Sequence, residues 1–86
     1  MTANQIIASL NKIRDQHSEI EKCVDLIYEV QRTGGPLAEV ITILKYEKPL
    51  VHSLLKARLR HNPGINLILG ISMDYDQAKL KLATYS

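Results

Sequence analysis

Near the amino end the apolar residues recur at a fixed interval. Ile6, Leu10, Ile13, Ile20, Val24 and Ile27 fall four and three residues apart wherever the series is unbroken, and the one missing member, position 17, is a histidine. This alternation lines all of them along one seam of an α-helix, as in packed helices. Thr2 and Gln5 have the spacing of a capping box, so a helix is expected to begin near Ala3. From Arg14 to Glu19 every residue is polar. Two organisations fit that stretch. The seam resumes in the same phase at Ile20 with no Gly or Pro between, which favours one helix running through His17. Alternatively, Ser18 and Glu21 form a second S-x-x-E box and open a new helix. Either way the helical pattern stops at Gly34-Gly35-Pro36. Glycine suits the left-handed position after a helix, and proline suits the first turn of the next.

Leu37, Val40, Ile41 and Leu44 give the i, i+3, i+4, i+7 stripe of another helix. Pro49 is expected to end it near Lys45 or Tyr46 and to open a further helix carrying Leu50, Val51, Leu54, Leu55 and Leu59. Asn62-Pro63-Gly64 closes that one. Ile65 to Leu69 is a short apolar run that periodicity alone leaves open between a helical turn and a strand. Helix is expected, because a lone strand has nothing to pair with. Asp74 with Gln77 resembles a cap for a last helix over about Tyr75 to Thr84, with Tyr75, Ala78, Leu82 and Tyr85 on its apolar side. The expected fold is all-α, a small helical bundle forming one domain over 1–86. It comprises a long N-terminal helix over 1–33 (as one helix or two), a helical hairpin over 36–61 and a short helical tail over 64–86.

Four Tyr, no Phe and no Trp mean that the core is aliphatic. A chain of 86 residues is marginal alone, and often needs a partner or a staple. No disulfide forms within the chain, because Cys23 is the only cysteine, and a lone cysteine in a helical pattern is read as a small buried hydrophobe. No run of apolar residues is long enough to span a membrane. The first five residues lack the charged-then-apolar build of a signal peptide, so a reducing cytoplasm is the expected compartment.

A continuous first helix of some thirty residues would be about 45 Å long. The later helices are each a dozen residues or fewer, too short to cover it. Its d positions are all isoleucine, with Leu10, His17, Val24 and Gln31 at a, a combination that leans towards four helices in contact rather than a parallel pair. Part of the seam is therefore expected to meet another subunit or a protein partner, through Ile6, Leu10, Ile13, His17, Ile20, Val24 and Ile27. Within the seam His17 could set register or respond to pH. The plainer account is a partly exposed histidine at a kink.

Charge changes the picture in one segment. His52, Lys56 and Arg60 are spaced four apart, on a stripe expected to lie opposite Leu54, Leu55 and Leu59, with Arg58 and His61 beside it. From Lys48 to Met73 there is no Asp or Glu, which gives that segment +4 against −2 for the rest of the chain. Such a face suits phosphates or an acidic partner, or is simply a solvated surface. Leu37 to Leu59 has the outline of a helix-turn-helix DNA reader without the glycine often found in the turn. Ile65…Leu69-Gly70-Ile71-Ser72…Leu80 resembles the turn of helix-turn-helix regulators over about sixteen residues. It departs from them at Asn66, where a small residue is usual, and at Asp76, where an aliphatic residue is usual. Asp74 and Asp76 would also turn negative charge towards phosphates.

The motifs of chemistry are missing from the sequence: there is no Gly-rich phosphate loop, no H-E-x-x-H and no C-x-x-C. Asp74-Tyr75-Asp76 is not a calcium loop, since the later ligands are lacking; the two acids suit the positive end of the last helix. The expected function is a non-enzymatic protein–protein interaction module, an adaptor, inhibitor or regulatory subunit that self-associates, with no cofactor and no metal. The alternative is a nucleic-acid-binding regulator using His52, Lys56, Arg58 and Arg60.

Overall fold

The computed structural model describes residues 1–71 and 73–85, and all regular structure among them is helical. The elements are α1 (Ala3–Lys12), α2 (Ile20–Arg32), α3 (Leu37–Glu47), α4 (Pro49–Leu59), α5 (Pro63–Leu69) and α6 (Tyr75–Ala83), with a single 3-10 turn at His17–Glu19 before α2. This is the small helical bundle that the apolar spacing predicts, and residues 65–69 are helical within it.

Local chemistry sets most helix ends. The Thr2 hydroxyl accepts from the Gln5 N–H at 3.2 Å while the Thr2 N–H donates to Gln5 Oε1 at 2.8 Å, completing the capping box. Asn62 Oδ1 accepts from the Ile65 N–H and Asp74 Oδ2 from the Gln77 N–H, so α5 and α6 each start on a side-chain cap. Gly34 ends α2 with φ +70°, its N–H donating to the Gln31 carbonyl, and the Gly35 N–H donates to the Val30 carbonyl. These are the two bonds of a Schellman motif. Lys48 alone separates α3 from α4, so α3 runs one residue past Tyr46 before the chain turns.

The expected rod through His17 does not form. α1 stops at Lys12, Ile13 and Gln16 are extended, and α2 starts only at Ile20. Ser18 is not its cap either; Glu19 holds that place without a side-chain cap bond. A rod of about 45 Å would far outrun a fold measuring 30 × 25 × 23 Å. Two acids make the break favourable. Glu19 is only 4 % exposed, and its carboxylate accepts from the Arg14 backbone N–H at 3.2 Å and pairs with Lys22 Nζ at 3.1 Å. The Arg14 N–H, then Lys22, hold its carboxyl below the usual carboxylate range. Asp15 Oδ1 accepts from the N–H of Val51, the third residue of α4, at 3.0 Å. That helix lacks a cap of its own, since Lys48 makes no side-chain cap bond.

Breaking at 13–19 lets α2 fold back beside α1, and the seam becomes core. Ile6, Leu10, Ile13, Val24 and Ile27 are buried together with Val30, Val40, Leu44, Val51, Leu55 and Ile65, and Ile20 is half-buried against them. α2 packs on α1, α3 and α4, and α6 packs on α1, so the chain's own helices supply the cover that the sequence had assigned to a second subunit. Cys23 is fully buried, and burial pushes its thiol up to about 12.

Candidate functional site

Of the seven residues expected at an interface, Ile6, Leu10, Ile13, Val24 and Ile27 are core, Ile20 is half-buried, and only His17, on the 3-10 turn, is exposed. The apolar argument for a partner on that seam goes with their burial. The basic segment is different, because it stays at the surface in an arrangement its spacing does not disclose.

α4 is apolar on two sides. Val51, His52, Leu55 and Leu59 face the core. Leu50 is 47 % exposed, Leu54 half-buried and Ala57 exposed. Positions 50, 54 and 57 are again four and three apart, a second seam that no described helix covers fully. At about 100° per residue, Lys56 and Arg60 lie on one flank of this outer seam and Arg58 on the other, while His61, four residues past Ala57 and beyond the last residue of α4, continues the line of the seam itself. All four are exposed.

This corrects the expected stripe of His52, Lys56 and Arg60 opposite Leu54, Leu55 and Leu59. His52 belongs to the inner face, 6 % exposed, and Leu54 to the outer one. Apolar residues almost encircle α4, so its own periodicity does not fix which way it turns; the bond from Val51 to Asp15 and packing on α2 and α3 do. The His52 Nε2 has no hydrogen-bond partner. Burial, then Lys56 and Lys45, push its pKa down, so the ring is neutral near pH 7 and adds no charge to the surface.

The two flanks differ electrostatically. Among the described residues Lys56 and Arg60 have no acidic partner, and Arg60 Nε donates to His61 Nε2 at 3.3 Å. Arg58 Nη1 lies 2.6 Å from Glu21 Oε1 of α2. Beside that pair Tyr28, Arg58, Leu59, His61, Asn62 and Pro63 line an open depression of about 420 Å³. Leu67, one helical turn from Pro63 on α5, is 76 % exposed.

Sequence reasoning missed Leu50, Leu54 and Ala57 as a surface seam, and Tyr28 and Glu21 as companions of Arg58. The first signal was present in the four-three spacing. The second is a tertiary meeting of α2 with α4 that no local pattern carries. As for the regulator-like turn, α5 and α6 do flank Gly70, and Ser72 lies outside the described residues. Ala78 and Leu82 of α6 are buried, and exposed Asp74 and Asp76 occupy the end that would approach phosphates.

Among the described residues no three metal-ligating side chains come together, and no helix is long and apolar enough to cross a membrane. No protein-family model, no curated protein and no solved structure matches the chain.

Proposed function

We propose that the chain is a protein–protein interaction module that binds an acidic amphipathic helix of a partner on the outer face of α4. It acts by binding alone, as an adaptor, inhibitor or regulatory subunit. The observation that carries this reading is the outward-facing Leu50–Leu54–Ala57 seam bordered by Lys56 and Arg60 on one side and Arg58 on the other. An apolar ridge flanked by charge is how helices dock on helices, with the ridge giving affinity and the flanks giving partner choice. Cations on both flanks call for Asp and Glu opposite. A second copy of the chain fits poorly, because an isologous α4–α4 contact would oppose Lys56 and Arg60 to like charges. A nucleic acid is served less well, because the middle of the face is apolar and phosphates want cations there.

The test is fluorescence anisotropy with a helical peptide carrying Leu at i, i+3, i+4 and i+7 and Glu on both flanks. Leu54→Asp, and separately the pair Lys56→Glu with Arg60→Glu, should each weaken binding at least about tenfold, as expected for loss of a central anchor or reversal of flanking charge. The same peptide with Lys in place of Glu should not bind. Equal binding of the acidic and basic peptides refutes the reading. Tighter binding of a DNA duplex than of the acidic peptide transfers the face to nucleic acid.

A further inference from the structure

At the C-terminal end of that face, where α4 meets α2 and α5, four chemically different donors border one depression. Arg58 contributes a guanidinium, His61 an imidazole, Tyr28 a phenol and Asn62 an amide. The Asn62 carbonyl oxygen is engaged as the cap of α5, which leaves the amide NH₂ as its free donor. The Arg60 Nε–H donates to His61 Nε2, which leaves Nδ1 as the ring's donor. Acceptors are scarce at this corner. The carboxylate that reaches it is Glu21, held by Arg58 at 2.6 Å, and both side chains are more than half exposed.

We infer that this depression is a binding site for a phosphate monoester on a partner's side chain, and that Glu21 occupies Arg58 in its place when the site is empty. Three features favour this ligand. A phosphate monoester offers three terminal oxygens and close to two negative charges, matching a set of donors too numerous for one carboxylate. A dianion gains more from Arg58 than Glu21 does, so the exchange runs towards the ligand. The charge around the site also favours one anion over a chain of them. Glu21, Asp25 and Tyr28 fall four and three apart along one ridge of α2, so a polyanion continuing past Arg58 meets two carboxylates.

The site extends the proposed docking face, and its assignment to a peptide partner rests on that reading. The test is an amide and side-chain NMR titration of the full chain with N-acetylphosphoserine methylamide. The comparison probes are the unphosphorylated amide, inorganic phosphate and an oligouridylate. Saturable shifts at Tyr28, Arg58, His61 and Asn62 are expected with the phosphorylated amide alone among the two amides. Inorganic phosphate should bind the same residues more weakly. Arg58→Gln should weaken binding at least about tenfold, the effect of a lost charge-assisted bond. Glu21→Gln should tighten it about two- to fivefold, the range of a released surface ion pair. Asp76→Asn on α6, which changes net charge equally, should do neither. Circular dichroism on each variant separates loss of binding from loss of fold. The inference is overturned if the two amides behave alike, if Glu21→Gln matches Asp76→Asn, or if shifts spread over cations elsewhere. It is also overturned if free phosphate binds as well as the amide, or if the oligouridylate binds better. Because no helical peptide is used, failure here removes the phosphate site and leaves the Leu54 experiment to judge the docking face.

Discussion

Replacing Asp15 with alanine should loosen the start of α4 from a distance of 36 residues in sequence. Pro49 has no N–H, Lys48 makes no side-chain cap bond, and the Val51 N–H is satisfied by Asp15 Oδ1 at 3.0 Å. Losing a side-chain cap costs about 1 kcal/mol, within about 0.5–2. A negative charge at the positive end of a helix adds about 0.3–1 kcal/mol. Asp15→Ala should therefore cost about 1–2.5 kcal/mol in urea denaturation. For a chain of this size that is a fall in Tm of roughly 4–8 °C per kcal/mol. Asp15→Asn keeps an acceptor and gives up the charge, so it should cost only about 0.3–1 kcal/mol. Hydrogen exchange locates the effect: the Val51 amide should lose protection in Asp15→Ala before amides in the middle of α2 do. Leu50 sits in the same first turn, so binding of the acidic helical peptide should fall as well. An Asp15→Ala variant within about 0.3 kcal/mol of the parent, or one whose Val51 amide exchanges at the parent's rate, refutes the cap as a determinant of α4.

Further outcomes follow from buried and turn positions. The folded pKa of His52 lies below its ordinary value of about 6.5, because of burial and then Lys56 and Lys45. The unfolded chain thus binds the proton more readily, and stability should fall as pH drops from roughly 7 to 5, a loss that His52→Leu removes in urea melts at each pH. The Glu19 pKa is lowered as well, by the Arg14 N–H and then Lys22, so its contribution is present above its unfolded pKa and is lost only at lower pH, as the carboxyl protonates. Gly34→Ala meets nothing within 4 Å, so its cost is wholly that of left-handed backbone at φ +70°, about 1–2 kcal/mol by thermal melting. Gly34→Asn should recover part of that loss.

Signals confined to a few neighbouring residues could be read directly. Thr2 with Gln5, Asn62 before Pro63, Asp74 with Gln77 and the glycine pair after Arg32 mark helix ends through bonds made within one turn. The seam from Ile6 to Ile27 was legible as an apolar helix face, but it was expected as one continuous rod meeting a partner, and the chain instead breaks it and buries most of it in its own core. An unbroken phase requires both segments to bury the same face, and a chain that doubles back on itself meets that requirement as well as a rod does. The polar member at 17 and the acids at 15 and 19 were the local trace of the break. What they do depends on Val51 and on the backbone of Arg14, and Val51 lies too far along the chain for any local pattern to show. The facing of α4 was hidden for another reason. With Leu50, Val51, Leu54 and Leu55 spread around the helix, periodicity permits several rotations, and tertiary packing chooses one. Of the expected basic set, Lys56, Arg58 and Arg60 stayed exposed, while His52 went inside because it sits beside Val51 and one turn from Leu55.

The sealed position of Cys23 has a practical consequence. Its thiol has no solvent contact and is pushed up to about 12, so in the closed molecule it is both out of reach and almost wholly protonated. A thiol-reactive dye can attack it only from conformations in which α2 has parted from its neighbours. With no competing cysteine in the chain, each labelled molecule records one such excursion. The native sequence thus carries its own clock for core breathing, needing no engineered reporter.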